Sequence, residues 1–313
     1  MKSNKHSPSL DGAADENSWH FTNAGDDGPL PNPVGHTFPL LTHDSDGRWK
    51  LIGTGFYVSS DGLFITARHN ICDVFEDGRQ VAPLVILHFH SPTGLFGPSE
   101  VIFRPIAQCW LSNDADIAFG VAAALTNSQN GEVLLHRCWE LSWATPTVGT
   151  PVGTYAFPRH RFATNGDSVH FHPELYRGTV LEVGDYRDKI ILPCPYLCVD
   201  CRIHGAASGG PIVMREGKVI GINCTELKND QSPGPGYGVQ IQCLRDAFID
   251  DAVLIDDSSP RRVTFDELVS ANCIRVDNFV GRRACPAPGG LLVRLDQIPV
   301  TAPHPRTSLV QYC

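Results

Sequence analysis

Residues 205–211 read Gly-Ala-Ala-Ser-Gly-Gly-Pro, and residues 64–69 read Phe-Ile-Thr-Ala-Arg-His. The first stretch frames Ser208 with small residues, which is typical of a tight turn that leaves a side chain open to substrate. A serine hydroxyl is a poor nucleophile until a neighbouring imidazole accepts its proton, and His69 is the candidate base. Backbone N–H groups in such a turn can also stabilise an oxyanion. Together the two stretches predict a nucleophilic serine site.

Residues 116–119 offer the third group that such a site needs. They read Asp-Ile-Ala-Phe, so Asp116 stands at the edge of an apolar run. A carboxylate placed there can orient the His69 imidazole and stabilise its charged form. Asp114 is an alternative acid, but the apolar run follows Asp116 directly and favours it. The predicted catalytic residues are therefore His69, Asp116 and Ser208, in that chain order.

Short runs of β-forming residues, separated by Gly, Pro, Asp and Ser, predict an all-β fold. The runs in the first half are Trp49–Val58, Leu63–Ala67, Val81–His90, Val101–Ala107 and Ile117–Ala123. The runs in the second half are Pro151–Phe157, Tyr176–Val183, Lys189–Leu192, Ile212–Met214, Lys218–Cys224 and Gly236–Gln242. Two such sets predict two packed barrels, with the candidate base and acid in the first and the serine in the second.

The chain divides into an arm, a β-rich domain and an extension. Residues 1–35 are rich in Ser, Asn, Asp, Gly and Pro and predict a mostly disordered N-terminal arm. Residues 36–250 contain the two barrels, about 36–145 and about 146–250. Residues 251–313 form a C-terminal extension that packs on the barrels or recruits a partner.

Local signals predict three smaller elements. Arg215-Glu216-Gly217 joins two strands as a tight hairpin. Residues 244–249 are expected to begin a short helix that closes the second barrel. Thr264–Ser270 predicts a helix in the C-terminal extension, with Thr264 as its N-cap and acids in its first turn.

Composition narrows the class of protein. A net charge of −9 argues against a nucleic-acid binder, which needs a basic face. No apolar run approaches the roughly 18–20 residues of a membrane helix, so no membrane partner is expected. The N-terminus has basic residues but no apolar run behind them, which indicates a cytoplasmic protein.

Three longer segments resemble a known family. Residues 53–69 read Gly-Thr-Gly-Phe-Tyr-Val-Ser-Ser-Asp-Gly-Leu-Phe-Ile-Thr-Ala-Arg-His, and residues 114–119 read Asp-Ala-Asp-Ile-Ala-Phe. Residues 200–213 read Asp-Cys-Arg-Ile-His-Gly-Ala-Ala-Ser-Gly-Gly-Pro-Ile-Val, and residues 217–223 read Gly-Lys-Val-Ile-Gly-Ile-Asn. Over about 45–250 the chain resembles the trypsin-like, chymotrypsin-fold serine peptidases, and within them the HtrA/DegP-type bacterial branch.

The resemblance implies two packed six-stranded antiparallel barrels and a serine endopeptidase that hydrolyses peptide bonds in protein substrates without a cofactor. Ser208 would attack the scissile carbonyl and form an acyl-enzyme, His69 would carry the proton, and Asp116 would orient His69. The N–H groups of Ala206 and Ser208 would form the oxyanion hole. The alternative is an inactive or latent trypsin-like fold that serves as a protein-binding module.

The resemblance also implies where a substrate binds. The strand Ile220–Cys224 would take the substrate backbone as an added strand. The expected substrate-binding residues are Arg202, His204, Ile222, Asn223 and Cys224. If Arg202 and His204 face the specificity pocket, an acidic P1 residue is favoured. If they face solvent, the pocket is small and apolar.

The chain departs from the family pattern at Ala206, where the family usually has glycine. Glycine suits an oxyanion loop whose backbone conformation is costly for other residues. Alanine would hold that conformation with strain, or the loop would rest in an inactive shape until a substrate or partner reshapes it. The HtrA-type PDZ domain is also not expected, because the residues after the barrels are too few. A regulatory partner would act through the terminal extensions.

The chain has 11 cysteines, an odd number that leaves at least one thiol unpaired. Four metal-binding side chains lie within eleven residues of one another: Cys194, Cys198, Cys201 and His204. Four such ligands are enough for a tetrahedral zinc site. A strand-like setting alternates side chains, and paired Cys-x2-Cys knuckles are missing. We therefore expect no metal, and leave open whether these cysteines are bridged or are buried or pocket-lining thiols.

Overall fold

The computed structural model describes residues 21–22, 29–30, 33 and 35–277, apart from internal gaps. The gaps are 45, 47, 73, 77–78, 81, 91–99, 113, 127–134, 163–168, 188–191, 202, 204, 227–233 and 253–258. The predicted disordered arm lies mostly outside the described residues, although Phe21–Thr22 and Pro29–Leu30 pair as two short strands. The predicted strand Lys189–Leu192 also lies outside them, except for its last residue.

Twelve strands form two barrels. The first barrel comprises β1 Thr37–His43, β2 Trp49–Tyr57, β3 Leu63–Thr66, β4 Val85–His90, β5 Glu100–Leu111 and β6 Ala118–Ala122. The second comprises β7 Pro151–Phe162, β8 Val169–Gly184, β9 Tyr196–Val199, β10 Pro211–Met214, β11 Lys218–Glu226 and β12 Gly236–Gln240.

Both barrels close with the same strand order. The first runs β1-β2-β3-β6-β5-β4 and returns to β1, with every pair antiparallel. The second runs β7-β8-β9-β12-β11-β10 and returns to β7, again antiparallel throughout. Closure gives each strand of a ring a paired neighbour on both sides over at least part of its length. The prediction of two six-stranded antiparallel barrels is confirmed.

Short elements connect and cover the barrels. The helices are α1 Arg68–Cys72 and α2 Phe265–Ser270, and 3₁₀ turns span Gly205–Ala207 and Ile241–Leu244. Glu140–Ser142 runs parallel to β11 on one side and to Val276–Asp277 on the other. The remaining pairs join Phe248–Ala252 with Arg261–Thr264, and Phe75–Glu76 with Arg79–Gln80. Within the described ranges, no helix is long and apolar enough to cross a lipid bilayer.

The C-terminal segment is attached to the barrels through α2. The Thr264 hydroxyl accepts the Glu267 N–H at 3.2 Å, and the Glu267 carboxylate accepts the Thr264 N–H at 2.8 Å, so a capping box begins the helix. Phe265 and Leu268 are fully buried. The Phe265 ring meets the Phe119 ring edge-on at 5.3 Å between centroids. The predicted helix after Thr264 is confirmed, and it closes one side of the core that both barrels share.

Two local predictions have different outcomes. The hairpin turn at residues 215–217 is confirmed between β10 and β11, and Gly217 adopts a positive φ of 82° there. The predicted helix at residues 244–249 is wrong, because a 3₁₀ turn ends at Leu244 and Phe248 starts a strand. That strand pairs with residues 261–264, a distant partner that satisfies its backbone in place of helical bonds.

Candidate active site

The first barrel places His69 beside Asp116. β3 and β6 are neighbours, with Thr66 opposite Ala118, so the residues just after β3 meet those just before β6. Asp116 Oδ1 accepts the backbone N–H of His69 at 3.0 Å, and Asp116 Oδ2 lies 2.8 Å from His69 Nδ1. A carboxylate can only accept, so Nδ1 carries the ring proton in this contact and Nε2 is the acceptor of the neutral ring.

His69 and Asp116 lie at the surface of the first barrel. The His69 side chain is 46% exposed, whereas that of Asp116 is 19% exposed. A substrate can therefore reach the imidazole while the carboxylate is partly shielded from water, which strengthens its interaction with His69. Asp114, the alternative acid, is exposed, and its own N–H donates to the Ser112 hydroxyl at 3.3 Å.

The second barrel supplies Ser208, and the first barrel holds it in place. Ser208 follows the 3₁₀ turn Gly205–Ala207 and precedes Gly209, whose φ is +85°. The carbonyl of Ser208 accepts the N–H of Thr54 at 2.8 Å and the side-chain amide of Asn70 at 2.9 Å. A Cβ on Gly209 would come within 2.2 Å of the Thr54 carbonyl oxygen. Glycine is therefore required both for the backbone conformation and for the close approach of the two barrels.

Thr54 and Asn70 are functional residues that the sequence reasoning missed. The Thr54 hydroxyl donates to the Ala206 carbonyl at 2.7 Å. Asn70 is buried, and its amide also reaches the Thr66 hydroxyl at 3.1 Å. A Cβ on Gly53 would collide with the Asn70 side chain, so that glycine makes room for the amide. An asparagine directly after the candidate base was the available signal.

The Ser208 side chain rests on a backbone carbonyl. Ser208 is 6% exposed, and its Oγ donates to the carbonyl oxygen of Cys224 at 2.9 Å. A hydroxyl has one proton, and a carbonyl can only accept, so that proton points toward Cys224 in this conformation. In the predicted mechanism, the hydroxyl would have to turn before this proton could pass to His69.

The loop predicted to hold the oxyanion forms a 3₁₀ turn over Gly205–Ala207, directly before Ser208. Among the described non-glycine residues, only Asn272 has a positive φ. The φ of Ala206 is therefore not positive. Alanine therefore sits in the turn without the backbone strain expected of an open oxyanion loop.

A family model described as the trypsin-like peptidase domain matches residues 53–222, more than half of the chain. The chain belongs to this family. The family prediction is therefore confirmed by a match that spans His69, Asp116 and Ser208. No curated protein matches the sequence.

Solved structures with similar folds include two proteases. The HtrA-type protease AlgW with a tripeptide has 15% sequence identity and a TM-score of 0.45, covering 67% of this chain and 57% of that one. Deg5 has 17% identity and a TM-score of 0.46, covering 67% of this chain and 85% of that one. The present chain thus spans 57% of the length of the AlgW chain.

Of the five predicted substrate-binding residues, Arg202 and His204 lie outside the described residues. Ile222 is fully buried and faces Pro211 on one side and Val239 on the other. Asn223 is also fully buried, with its amide donating to the Thr154 hydroxyl and, at 3.3 Å, to the Ala207 carbonyl.

The backbone of Asn223 is fully engaged as well. Its N–H donates to Gly210 and its carbonyl accepts from Gly209, at 2.9 and 2.7 Å. These contacts make Asn223 a support for the nucleophile loop. Its role in substrate binding, like that of Ile222, stays a prediction.

Cys224 contacts the acid of the site. Its Sγ lies 3.9 Å from the backbone carbonyl oxygen of Asp116. Burial, and then the negative charge of Asp116, raise the pKa of the Cys224 thiol well above its usual value. Cys224 is therefore a neutral thiol packed against Asp116. Among the described residues, no group of three or more His, Cys, Asp or Glu side chains is placed to hold a metal ion.

Proposed function

We propose that this trypsin-like protein is a serine endopeptidase that cleaves peptide bonds in protein substrates through an acyl-enzyme. The observation that carries the proposal is the double contact of Asp116 with His69, through the backbone N–H and through Nδ1. That contact fixes the tautomer whose Nε2 can accept the Ser208 proton. The loop that carries Ser208 is anchored to the same barrel through Thr54 and Asn70.

In the proposed reaction, Ser208 Oγ attacks the scissile carbonyl as its proton passes to His69 Nε2. The imidazolium formed is stabilised by the Asp116 carboxylate and then protonates the leaving amine. Water repeats the sequence on the acyl-enzyme and releases Ser208. No step requires a cofactor.

The proposed substrate lies along the end of β11. β10 pairs with β11 only as far as Ile222, whereas β12 pairs with it as far as Glu226. In the described part of the chain, the edge of β11 at Thr225 therefore has a strand on one side, next to Ser208. A substrate strand added on the other side would place its carbonyl at the Ser208 hydroxyl. AlgW, with its tripeptide, is a protease solved in complex with a peptide.

Labelling with a fluorophosphonate tests the proposal. An activated serine reacts covalently with this probe, so wild-type protein is expected to be labelled at Ser208, as mapped by mass spectrometry. The variants Ser208→Ala and His69→Ala are the controls, and both should remain unlabelled. Labelling that persists in Ser208→Ala, or wild-type protein that stays unlabelled with peptide substrates also uncleaved, would refute the proposal.

A second candidate function is a latent or inactive fold that binds proteins. The 3₁₀ turn over Gly205–Ala207 favours it, because Ala206 in this turn lacks the positive φ expected of an open oxyanion loop. This second candidate has two forms. A latent enzyme would recover its oxyanion hole when the turn opens, whereas an inactive binding module would not.

Ala206→Gly is expected to raise the rate of fluorophosphonate labelling about 5- to 30-fold. A left-handed backbone at this position costs alanine roughly 1–2 kcal/mol, and glycine removes that cost from the open loop. Second-order labelling rates of the purified variant and wild type would measure the gain. Ala207→Gly, in the same turn, is the matched control and should show no gain. An unchanged rate in Ala206→Gly would contradict the idea that Ala206 holds the loop shut.

A further inference from the structure

Two thiols lie close together next to the proposed active site. Cys194 precedes β9 and is buried, and Cys243 lies in the 3₁₀ turn after β12 and is partly exposed. β9 and β12 are paired, with Tyr196 opposite Val239, so the residues before β9 meet those after β12. This register explains why two cysteines that are distant in sequence come together.

The contacts of the two thiols define their orientation. Cys243 Sγ lies 3.8 Å from the carbonyl oxygen of Pro195, the residue after Cys194. The thiols of Cys194 and Cys243 are neighbours that influence each other's ionisation, and the backbone of Asp116 also acts on the Cys194 thiol. Both cysteines are reduced in this structure.

The two thiols differ in the direction of their pKa shifts. The neighbouring Cys243 thiol, and then the Asp116 backbone, lower the pKa of Cys194, although burial and the charges of Asp116 and Asp114 oppose this. The neighbouring Cys194 thiol, together with burial, raises the pKa of Cys243. Since the thiolate is the reactive form of cysteine, Cys194 is assigned as the attacking sulfur of the pair and Cys243 as the resolving sulfur.

We propose that Cys194 and Cys243 form a redox-active pair that hydrogen peroxide converts into a disulfide. The Cys194 thiolate attacks the peroxide O–O bond, which gives a sulfenic acid at Cys194 and, after protonation, one water. Cys243 Sγ then attacks the Cys194 sulfur, the S–O bond breaks, and a second water leaves with the Cys243 proton. The two sulfurs are oxidised by one electron each, and one peroxide is reduced to two waters.

Three other described cysteines differ from this pair. Burial raises the pKa of Cys109, Cys201 and Cys273 to about 12 each, which keeps them as unreactive thiols. The Cys201 sulfur faces the carbonyls of Val152 and Tyr176, at 3.8 and 3.9 Å. Cysteines that form reversible disulfides typically combine a thiol of lowered pKa with a second thiol beside it.

Peptide mapping of the full-length protein tests the pair. Reduced protein would be treated with graded hydrogen peroxide, alkylated, digested without reductant and analysed by mass spectrometry. We expect a Cys194–Cys243 cross-linked peptide to be the first to form among the described cysteines, and a thiol reductant to reverse it. The variants Cys194→Ala and Cys243→Ala should each lose it, and the matched core control Cys109→Ala should keep it.

The wild-type measurement decides the proposal even if a variant does not fold, because differential alkylation needs no substitution. Cys194 and Cys243 that both remain alkylatable after peroxide treatment would overturn it. So would a first cross-link between Cys194 and Cys224, which also lies close to Asp116.

Discussion

Replacing Asp116 by asparagine is expected to lower the fluorophosphonate labelling rate of Ser208 by about four orders of magnitude. The carboxylate accepts two hydrogen bonds, from the His69 N–H and from His69 Nδ1. An amide has one accepting oxygen and one donating NH₂ group. If the amide oxygen of the asparagine accepts the His69 backbone N–H, its NH₂ group faces Nδ1 of the ring. That contact favours the tautomer in which Nε2 carries the proton. That tautomer cannot accept the proton of Ser208.

Asp114→Asn is the matched control, because it removes the same charge two residues away on an exposed side chain. It should label within a few-fold of wild type. Circular dichroism of both variants would show that each is folded before rates are compared. If Asp114→Asn lost labelling while Asp116→Asn kept it, the assignment of the orienting acid would be wrong.

The parts of the site that could be predicted are those whose chemistry is local. Ser208 between small residues, His69 after a β-forming run and Asp116 before an apolar run each stand out within a few residues. Their chain order and strand settings also predicted that two barrels would bring them together. The structure places Asp116 Oδ2 2.8 Å from His69 Nδ1, and the catalytic roles of the three residues stay predictions.

The parts that could not be predicted depend on contacts between distant segments. Thr54 and Asn70 hold the Ser208 carbonyl, but nothing within their own neighbourhoods identifies Ser208 as the partner. Cys243 meets Cys194 only because β9 and β12 pair in one particular register. Such register is set by long-range packing, which a local pattern does not contain.

The two barrels share one strand order. Closure into a six-stranded ring constrains how the strands pair and tilt. Many different apolar sequences can satisfy this constraint. Ser208 lies at the junction of the rings, where the N–H of Thr54 in β2 donates to the Ser208 carbonyl, just before β10. The contacts that hold the two barrels together therefore also fix the position of Ser208.

Acidification from pH 7.5 to pH 5.0 is expected to lower the free energy of unfolding by about 4 kcal/mol through His36 and His136. Burial, and then the positive charge of Arg137, lower the pKa of His36 to about 3, with the Pro33 carbonyl opposing in part. Burial, followed by the positive charge of Arg104 and the neighbouring His88 ring, also lowers the pKa of His136 well below its usual value.

The sign follows from where the protons bind. In the unfolded chain both histidines titrate near their ordinary pKa of about 6.5, whereas the folded rings stay neutral. Below pH 6.5 the unfolded state therefore binds more protons, and stability falls as the pH falls, by about 1.4 kcal/mol per pH unit for each histidine. The loss ends only when the pH reaches the folded pKa, which for His36 is about 3.

Urea unfolding followed by tryptophan fluorescence at the two pH values would measure the loss. His36→Phe and His136→Phe keep a ring against Trp139 and against Tyr57, whose centroids lie 5.2 and 4.0 Å away, and each should retain about half of the wild-type loss. His43→Phe, at a partly buried end of β1, is the control and should retain all of it. Equal unfolding free energies at both pH values would show that these rings are solvated in the folded protein. A full loss in both substituted variants would instead place the acid-sensitive groups elsewhere in the chain.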